Sequence, residues 1–370
     1  MKSQNLYANP VSLRRAKQAL SQTHGIGTKT LPKSVLTTNT IEQKGLSTIK
    51  RTSDQHGEQQ VQKKCTNNSE LLGQLPSLNQ MKPKSHKAPT GLRNLGNTCY
   101  MNAALQLFVN TDLINTISSQ KPISSALTDF FSNYSKQQTL APESLKALIG
   151  RKHREFAGYQ QQDAHEFLLA LVDLVHEEQK APSRYVQAEY DGLSESDAFE
   201  VFSQAMSGFG SEIHDCLKFS VIQRATCGEC ETKSFSFQQE LELLQELQRP
   251  FNSQRPFQVC KNCAKCGRNT THECKSEVYK EPQQLLVVLK RFQRNGKNCS
   301  EFKVEEFVQF GEKSFRAKAF VLHAGGVNGG HYTAWVRCQD KWYDCDDSSV
   351  QTTKISLSDP RIYVVSYEAQ

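Results

Sequence analysis

Apolar positions in the first part of the folded chain recur at the three- and four-residue spacing of α-helices. The pattern predicts one amphipathic helix within Gly91–Asn110, short helices at Ile123–Tyr134 and Ala141–Ile149, and a longer helix that follows Gly158–Phe167. Turn-forming residues precede the first helix, so we expect Cys99 to lie in its first turn.

From about Phe199 onward the pattern changes, because the apolar runs become short, alternating or rich in β-branched residues. Runs of this kind are typical of β-strands. The predicted strands are Phe219–Gln223, Leu285–Phe292, Ala319–Leu322, Tyr332–Val336 and Ile362–Tyr367. Helices followed by strands indicate an α+β fold, with a helical lobe packed against a mostly antiparallel sheet.

Composition separates residues 1–88 from the rest of the 370-residue chain. This segment contains 14 Lys and Arg against 4 Asp and Glu, and its one aromatic residue is Tyr7. It cannot bury enough apolar surface to offset its ordering entropy, so we predict a disordered basic tail at 1–88 and a folded domain at 89–370. Because the whole chain carries +7, residues 89–370 carry −3 and lack the basic stripe typical of nucleic-acid binding.

Neither a secretory signal nor a membrane-spanning apolar stretch is visible in the sequence. We therefore assign the 12 cysteines to a reducing compartment, the cytoplasm or nucleus. Thiols in such compartments serve as nucleophiles and metal ligands rather than as disulfides.

Cys99 is a candidate nucleophile because of its place at a helix start. Unpaired backbone N–H groups and the positive end of the helix dipole should favour its thiolate over its thiol. The alternative is that Cys99 only packs in the core, since cysteine is among the most buried residue types.

A candidate base lies near the C-terminus, where His323–His331 forms a glycine-rich loop before the predicted strand Tyr332–Arg337. The next strand, Lys341–Asp347, follows a short turn, and hairpin partners should have residue numbers that add up to about 679. His331 and Asp346 are then opposite or diagonal neighbours. A carboxylate in that position would orient an imidazole as a general base, although a surface pair is the alternative.

Two C-x-x-C pairs can each turn two thiolates toward one tetrahedral zinc ion: Cys227 with Cys230, and Cys263 with Cys266. Four sulfur ligands leave no position for water, so the predicted zinc is structural. Cys260 and Cys274 leave the ligand choice open, because Cys260 and Cys263 also form a C-x-x-C pair. The other alternative is a set of metal-free cysteines.

Four segments resemble, in the same order, the signatures of ubiquitin-specific proteases. GLRNLGNTCYMN resembles the cysteine box, and GGHYTAWVR followed by WYDCDDSSV resembles the histidine box; GYQQQDAHEFL and LLVVLKRF resemble two further signatures. The resemblance covers residues from about 89 to 370. It implies a papain-like cysteine protease fold with a helical thumb, a palm, and fingers of antiparallel strands at about 219–280.

The resemblance implies a monomeric enzyme that cleaves the isopeptide or peptide bond after the C-terminal Gly-Gly of ubiquitin. Cys99 matches the nucleophile, His331 the base, and Asn94 the side chain that stabilises the oxyanion. Asp346 matches the third catalytic residue, and Asp347 could share or replace its role.

Further residues match positions that contact the ubiquitin tail: Asp163, Glu166, Gly330 and Tyr332. The first two also form the D-x-x-E pattern of a helix capping box, which is a structural device. The same comparison favours Cys263 and Cys266 as the second zinc pair. Cys345 departs from the family, which usually has an aromatic residue there.

Three alternatives to a deubiquitinase differ from it in testable ways. A protease for another ubiquitin-like modifier would share the chemistry, whereas a catalytically weak ubiquitin-binding module would have lost Cys99, His331 or the acid. A nucleic-acid-binding zinc protein is disfavoured by the charge of the folded domain.

Overall fold

The computed structural model describes residues 88–134, 136, 139–180, 193–207, 210–249, 251, 256–293 and 296–370. Apart from position 88, the predicted basic tail at 1–88 lies outside the described residues.

The described residues contain six α-helices, most of them in the first half of the domain. They are α1 (Cys99–Val109), α2 (Pro122–Tyr134), α3 (Glu143–Lys152), α4 (Ala164–Gln179), α5 (Glu195–Ser207) and α6 (Glu212–Leu217). Short 3-10 turns at Asp112–Thr116 and Arg154–Phe156 connect them. The four helices predicted from the apolar spacing are confirmed as α1 to α4.

Sixteen strands complete the described fold: β1 (Gly91–Leu92), β2 (Thr139–Leu140), β3 (Phe219–Cys227), β4 (Lys233–Glu240), β5 (Leu243–Gln245), β6 (Phe257–Asn262), β7 (Asn269–Lys280), β8 (Gln284–Leu289), β9 (Phe292–Gln293), β10 (Gly296–Lys297), β11 (Phe307–Phe310), β12 (Lys313–Gly326), β13 (Gly329–Cys338), β14 (Lys341–Asp346), β15 (Ser349–Thr353) and β16 (Ile362–Ala369).

The strands form a large central sheet and a smaller separate one. The central sheet has the order β15-β14-β13-β12-β16-β8-β5, with β11 also paired to β12. The smaller sheet has the order β4-β3-β7-β6. The parallel pairs are β1 with β2 and β5 with β8, and the other described pairs are antiparallel. The predicted α+β fold with a mostly antiparallel sheet is confirmed.

Helix α1 differs from the predicted amphipathic helix, because all eleven of its residues are buried. Its polar stripe is satisfied by hydrogen bonds instead of water. Gln106 Nε2 donates to the Thr90 carbonyl at 2.7 Å, and Asn110 Nδ2 donates to the Tyr134 hydroxyl at 2.8 Å. Asn102, one turn earlier, donates from its Nδ2 to the Leu92 carbonyl and to Asp347 Oδ1. Buried polar groups need such partners, so the same pattern suits a central helix.

The two faces of the central sheet pack against different partners. Helices α1 and α4 form one hydrophobic core with one face, including Phe108 and Leu171. The other face packs with Phe310 and Phe315 of β11 and β12 in a second core. Helix α1 therefore lies between the sheet and the remaining helices, which places its N-terminus against β13 and β14.

The prediction of strands from Phe199 onward missed two helices, α5 and α6. Ala198 and Phe202 are one helical turn apart on α5, and both are buried against Phe237 of β4. Helix α6 is capped by Ser211, whose hydroxyl accepts from the His214 N–H at 3.3 Å. Helix α6 has only six residues, so its few apolar residues also fit a strand pattern.

No helix among the described residues is both long and apolar enough to cross a membrane.

Two histidine rings stack between α4 and α6. The ring centroids of His176 and His214 are 3.7 Å apart, and the planes differ by 4°. His176 Nδ1 lies 2.8 Å from the Ser211 hydroxyl. Burial lowers the pKa of His214 to about 3, and the neighbouring His176, Lys218 and Lys180 add to the effect. The stack is thus stable with His214 uncharged.

Lowering the pH from about 7 to 5 should therefore reduce the free energy of unfolding by about 1 to 2 kcal/mol through His214. Because the folded-state pKa is about 3 against an ordinary 6.5, the unfolded chain binds more protons between these values, and acid favours unfolding. Chemical denaturation across this range should show that His214→Gln lacks this part of the pH dependence. Parallel profiles for wild type and variant would contradict the assignment.

Candidate active site

Cys99 is the first residue of α1, as predicted, and only 5% of its surface is accessible to solvent. The loop before it turns sharply, with positive φ angles at Gly96 (100°) and Asn97 (51°). Asn94 Oδ1 fixes this turn by accepting from the Gly96 N–H at 2.9 Å and the Thr98 N–H at 3.2 Å. No side chain caps α1, so its first N–H groups remain near the thiol.

Backbone N–H groups at the helix start do lower the pKa of Cys99, as expected, but they do not determine its net shift. Burial raises the pKa of the Cys99 thiol, and the negative charge of Asp347 adds to the rise. The backbone N–H groups of Tyr332, Tyr100 and Cys99 itself oppose the rise, but burial outweighs them. A thiolate at this position therefore needs a nearby positive charge, such as an imidazolium ion.

The predicted glycine-rich loop before His331 is instead a tightly paired hairpin. Strands β12 and β13 pair up to Gly326 and Gly329, and Ala324 lies opposite His331. Gly325 has φ 116°, and a Cβ atom there would lie 2.6 Å from the Gly329 carbonyl oxygen. The glycines allow two backbones to approach closely, which extends the ladder to the tip of the hairpin.

The predicted register between the next two strands is confirmed. Ala334 of β13 pairs with Cys345 of β14, and Trp335 pairs with Asp344, which gives the expected sum of residue numbers. His331 and Asp346 are diagonal neighbours in this register, and His331 Nε2 lies 2.6 Å from Asp346 Oδ1. Both side chains are about half exposed, at 45% and 52%. The carboxylate can therefore orient the ring and fix its tautomer.

Asp347 connects this hairpin to the cysteine loop and to α1. Its Oδ2 accepts from Asn94 Nδ2 at 2.8 Å, and its Oδ1 accepts from Asn102 Nδ2 at 2.7 Å. Its carbonyl accepts from the Leu92 N–H at 2.7 Å. Asp347 adopts φ 49°, a left-handed conformation that aspartate tolerates. The two adjacent aspartates thus have different partners: Asp346 contacts His331, and Asp347 contacts the loop before Cys99 and helix α1.

Within the part of the chain that the structure describes, Cys99 and His331 do not form a hydrogen bond with each other. They are nevertheless neighbours, because the backbone N–H of Tyr332, the residue after His331, is close enough to Cys99 to favour its thiolate and lower its pKa. Ligand atoms of His331, Asp346 and Asp347 lie within 4.8 Å of one another. Catalytic hydrogen bonds in ligand-free enzymes are often long and shorten when substrate binds.

Asp163 is confirmed as the N-cap of α4, where its Oδ1 accepts from the His165 and Glu166 N–H groups at 2.8 and 3.0 Å. Two tyrosine hydroxyls also donate to the carboxylate, from Tyr332 at 3.2 Å and from Tyr363 at 3.1 Å. Asp163 therefore connects α4 to the strand that carries His331. Glu166 is exposed on the first turn of α4.

The sequence did not indicate two further side chains that contact the His331 hairpin. Gln161, which directly follows the bend at Gly158–Gln160, hydrogen-bonds the Gly330 backbone from the loop before α4. His323 lies directly beneath Gly330, where a Cβ atom would be 2.3 Å from His323 Nε2. Gln161 lies in a matched motif, whereas His323 precedes the matched histidine box, and only the pairing of β12 with β13 brings His323 under this glycine.

The two C-x-x-C pairs lie in adjacent turns of the small sheet. Cys227 and Cys230 are in the β3–β4 turn, and Cys263 and Cys266 are in the β6–β7 turn. Strand β3 pairs with β7, which brings both turns to the same end of the sheet. The four Sγ atoms all lie within 4.8 Å of one another.

This arrangement fits a tetrahedral zinc ion. The Cys230–Cys263 and Cys227–Cys266 Sγ distances are 3.5 and 4.0 Å, whereas Zn–S bonds of about 2.3 Å imply sulfur separations of about 3.8 Å. Cys260 is exposed on β6 and Cys274 is buried on β7, and neither belongs to the cluster. The geometry thus favours the predicted four ligands.

Cys345, the departure from the family pattern, is buried on β14 beside Asp346 and Asp347. Burial raises its pKa well above the ordinary range, with a contribution from Cys338. The smaller side chain sits against the core formed with α1. It therefore acts as a neutral packing residue.

Comparisons with known proteins agree on one family. The family described as ubiquitin carboxyl-terminal hydrolase matches residues 90–367. The chain is similar to mouse ubiquitin carboxyl-terminal hydrolase 3, with 26% identity over 85% of this chain and 74% of the relative. It is also similar to rat ubiquitin carboxyl-terminal hydrolase 2, with 26% identity over 79% of this chain and 56% of the relative.

Solved structures show the same fold at lower identity. A chain of the SAGA DUB module Ubp8/Sgf11/Sus1/Sgf73 bound to monoubiquitin gives a TM-score of 0.61 with 19% identity, over 78% of this chain and 70% of that chain. The same module bound to ubiquitin aldehyde gives a TM-score of 0.60. Sequence and fold together place the chain in the ubiquitin carboxyl-terminal hydrolase family of cysteine-type deubiquitinating hydrolases.

Proposed function

We propose that this chain cleaves the peptide or isopeptide bond after the C-terminal Gly-Gly of ubiquitin, with Cys99 as nucleophile. One observation carries the assignment: His331 is oriented by Asp346 on the strand whose next N–H, that of Tyr332, points at Cys99 Sγ. A base with its orienting acid therefore lies beside a thiol at a helix start, which is the arrangement of a Cys–His nucleophile.

The reaction follows from these roles. His331 Nδ1 takes the proton from Cys99 Sγ, and the resulting imidazolium stabilises the thiolate whose pKa burial had raised. The thiolate attacks the glycine carbonyl, and the tetrahedral intermediate collapses when His331 returns the proton to the leaving amine. Water, deprotonated by His331, then hydrolyses the thioester and releases the ubiquitin carboxylate.

The developing oxyanion has two donors available. Asn94 uses one amide hydrogen for Asp347 and has a second to offer. The backbone N–H of Cys99 lies at the uncapped start of α1 and already points toward the sulfur. Donors fixed before the reaction stabilise the transition state more than the ground state.

Asp347 acts in this proposal as a positioning residue, and Asp346 as the third member of the triad. Asp346 touches the base, whereas Asp347 holds Asn94 and Asn102. The alternative, in which Asp347 takes over as the third member, has one supporting observation, since its carboxylate also lies within 4.8 Å of the imidazole nitrogen.

We propose that the ubiquitin tail lies between the loop before α4 and the β13 edge. The carboxylate of Glu166 is exposed, and that of Asp163 caps α4. Both can attract the basic residues of the tail. Gly330 and Tyr332 line the opposite side, where a side chain at Gly330 would collide with His323. Pairing of substrate backbone with this strand supplies further contacts.

We propose that the four clustered cysteines hold one structural zinc ion. The ion would join the β3–β4 and β6–β7 turns, whose strands otherwise contribute a thin sheet with a small core against α5. It would hold the two turns together at the end of the sheet and take no part in the hydrolysis.

The remaining assignments concern the whole chain. We propose that residues 89–370 form the catalytic domain, that 219–280 are its fingers, and that it acts as a monomer in the cytoplasm or nucleus. None of the eleven cysteines in the described part of the chain forms a disulfide bond. Nucleic acid is not a proposed partner, because residues 89–370 carry −3.

Cys99→Ala should abolish hydrolysis of ubiquitin that carries a fluorogenic C-terminal amide, because the attacking atom is lost. Cys299→Ser is a matched control, since Cys299 is an exposed thiol outside the site. It should retain wild-type kcat/KM. Cys99-independent hydrolysis would disprove the proposed function.

The two aspartates should give different phenotypes. Asp346→Asn should reduce kcat by about 10²- to 10⁴-fold through loss of the orienting acid, with little change in Tm because this side chain is 52% exposed. Asp347→Asn should reduce kcat and also the free energy of unfolding, by about 1 to 3 kcal/mol, because it disrupts bonds to Asn94 and Asn102.

Steady-state kinetics and thermal unfolding of both variants measure this difference. If Asp346→Asn kept wild-type kcat while Asp347→Asn lost activity at unchanged Tm, Asp347 would be the third member of the triad.

Elemental analysis should find one zinc ion per chain. Cys230→Ser and Cys263→Ser should lose the ion and unfold at lower temperature, because each removes one of four ligands. Cys260→Ser should keep both zinc and Tm, since Cys260 is exposed and outside the cluster. A metal-free wild-type protein with full stability would contradict the zinc site.

A further inference from the structure

Strand β13 has an open hydrogen-bonding edge at its catalytic end. Its pairing with β14 begins at Ala334, so Gly329–Thr333 extend beyond that neighbour. Strand β12 covers the other edge along this stretch, where Gly325 pairs with Gly330 and His323 with Tyr332. Backbone groups of alternate residues point to the same side of a strand, so Gly330 and Tyr332 share an edge.

Two observations show that this shared edge is the open one. Tyr332 lies two residues from Gly330 in the ladder with β12, so its N–H points away from β12 as that of Gly330 does, and this N–H favours the Cys99 thiolate. The N–H and carbonyl of Gly330 also point away from β12, because both bond to the side chain of Gln161. The open edge therefore begins at the nucleophile and continues, one ladder step of about 6.8 Å along, to Gly330.

The Gln161 side chain occupies this step in the manner of a peptide unit. Its Oε1 accepts from the Gly330 N–H at 3.1 Å, and its Nε2 donates to the Gly330 carbonyl at 3.2 Å. A primary amide offers the same acceptor and donor as a backbone amide. We call this pair of hydrogen bonds the Gln161 bridge.

The position of the Gln161 bridge conflicts with that of an extended substrate. A peptide whose scissile carbonyl reaches Cys99 and whose backbone follows the β13 edge needs the N–H and carbonyl of Gly330. The bridge already uses both groups. Gln161 also lies close to Gly329, where an added Cβ atom would be 2.9 Å from Gln161 Oε1.

We propose that the Gln161 side-chain amide occupies, in the free enzyme, the ladder position that the backbone of the ubiquitin tail takes when bound. The inference rests on the proposed function. Gln161 is then an internal competitor: substrate binds after the bridge opens, and the closed fraction of the enzyme raises KM. The bridge is absent from the complex, so it does not affect the chemical step.

The same geometry explains why the competition is mild. Gln161 is exposed and Gly330 is half-buried, so water can replace both hydrogen bonds. Exposed bonds of this kind hold the closed state only modestly, and the open state remains accessible to substrate. A peptide backbone displaces the bridge because it adds contacts on both sides of Gly330.

Gln161→Ala tests the proposal, with Gln162→Ala as the matched control. Gln162 is the adjacent glutamine, and its Nε2 donates to the Glu155 carbonyl at 2.9 Å, away from the hairpin. With ubiquitin bearing a fluorogenic C-terminal amide, Gln161→Ala should lower KM by about three- to tenfold and keep kcat within about twofold. Gln162→Ala should keep both wild-type constants.

Hydrogen exchange gives a second readout that does not depend on turnover. The Gly330 amide should exchange faster in Gln161→Ala than in wild type, and saturating ubiquitin should protect it in both proteins. Equal exchange in the free proteins would show that the bridge does not form in solution and would overturn the proposal.

The kinetic outcomes separate the possible roles of Gln161. A raised KM in Gln161→Ala would mean that Gln161 binds substrate, and a lowered kcat at constant KM would mean that it positions His331. Either result, or an unchanged KM, would overturn the proposal that Gln161 competes with substrate. If wild type and Gln162→Ala also failed to hydrolyse the substrate, the proposed function would fail, and the inference with it.

Discussion

The active site depends on the hydrogen bonds that Asp347 makes between two distant parts of the chain. Its carboxylate binds Asn94 of the cysteine loop and Asn102 of α1, and its carbonyl binds the N–H of Leu92. The preceding residue, Asp346, contacts His331. One sharp left-handed turn at Asp347 therefore sets both the orientation of the base and the position of the nucleophile's helix. The apolar contacts between the sheet and α1 are not directional, so these hydrogen bonds fix the position of the hairpin relative to the cysteine loop and α1.

The burial of α1 explains both the rigidity and the resting state of the thiol. A helix enclosed on all sides holds Cys99 in one place, but burial also raises the pKa of that thiol. The Cys99 thiol therefore favours its protonated form, and among the described residues Cys99 and His331 are not hydrogen-bonded to each other. In the proposed reaction, substrate that enters along the β13 edge would exclude water and bring the two groups together. Activation by substrate would limit reaction of the free thiol with other electrophiles.

The sequence predicts those features that depend on local spacing. Strand alternation and a short turn place His331 beside Asp346, and paired knuckles place the cysteine ligands together. The sequence does not predict the features that depend on the tertiary environment. The polar stripe of α1 predicts a solvent-exposed face, whereas in the structure Thr90 and Tyr134 are its buried hydrogen-bond partners. The glycines before His331 suggest a loop until β12 is known to pair with them. The pKa of Cys99 depends on its burial, which the pattern around one cysteine does not specify.

The central claim is that Cys99 forms the covalent bond with the C-terminus of ubiquitin. Mass spectrometry of the proteolysed enzyme, after reaction with ubiquitin carrying a C-terminal electrophile, locates that bond directly. Parallel probes made from other ubiquitin-like modifiers establish which modifier is recognised. The account predicts one adduct, on Cys99, formed by the ubiquitin probe in preference to the others. An adduct on another cysteine, or no adduct with any probe, would contradict it.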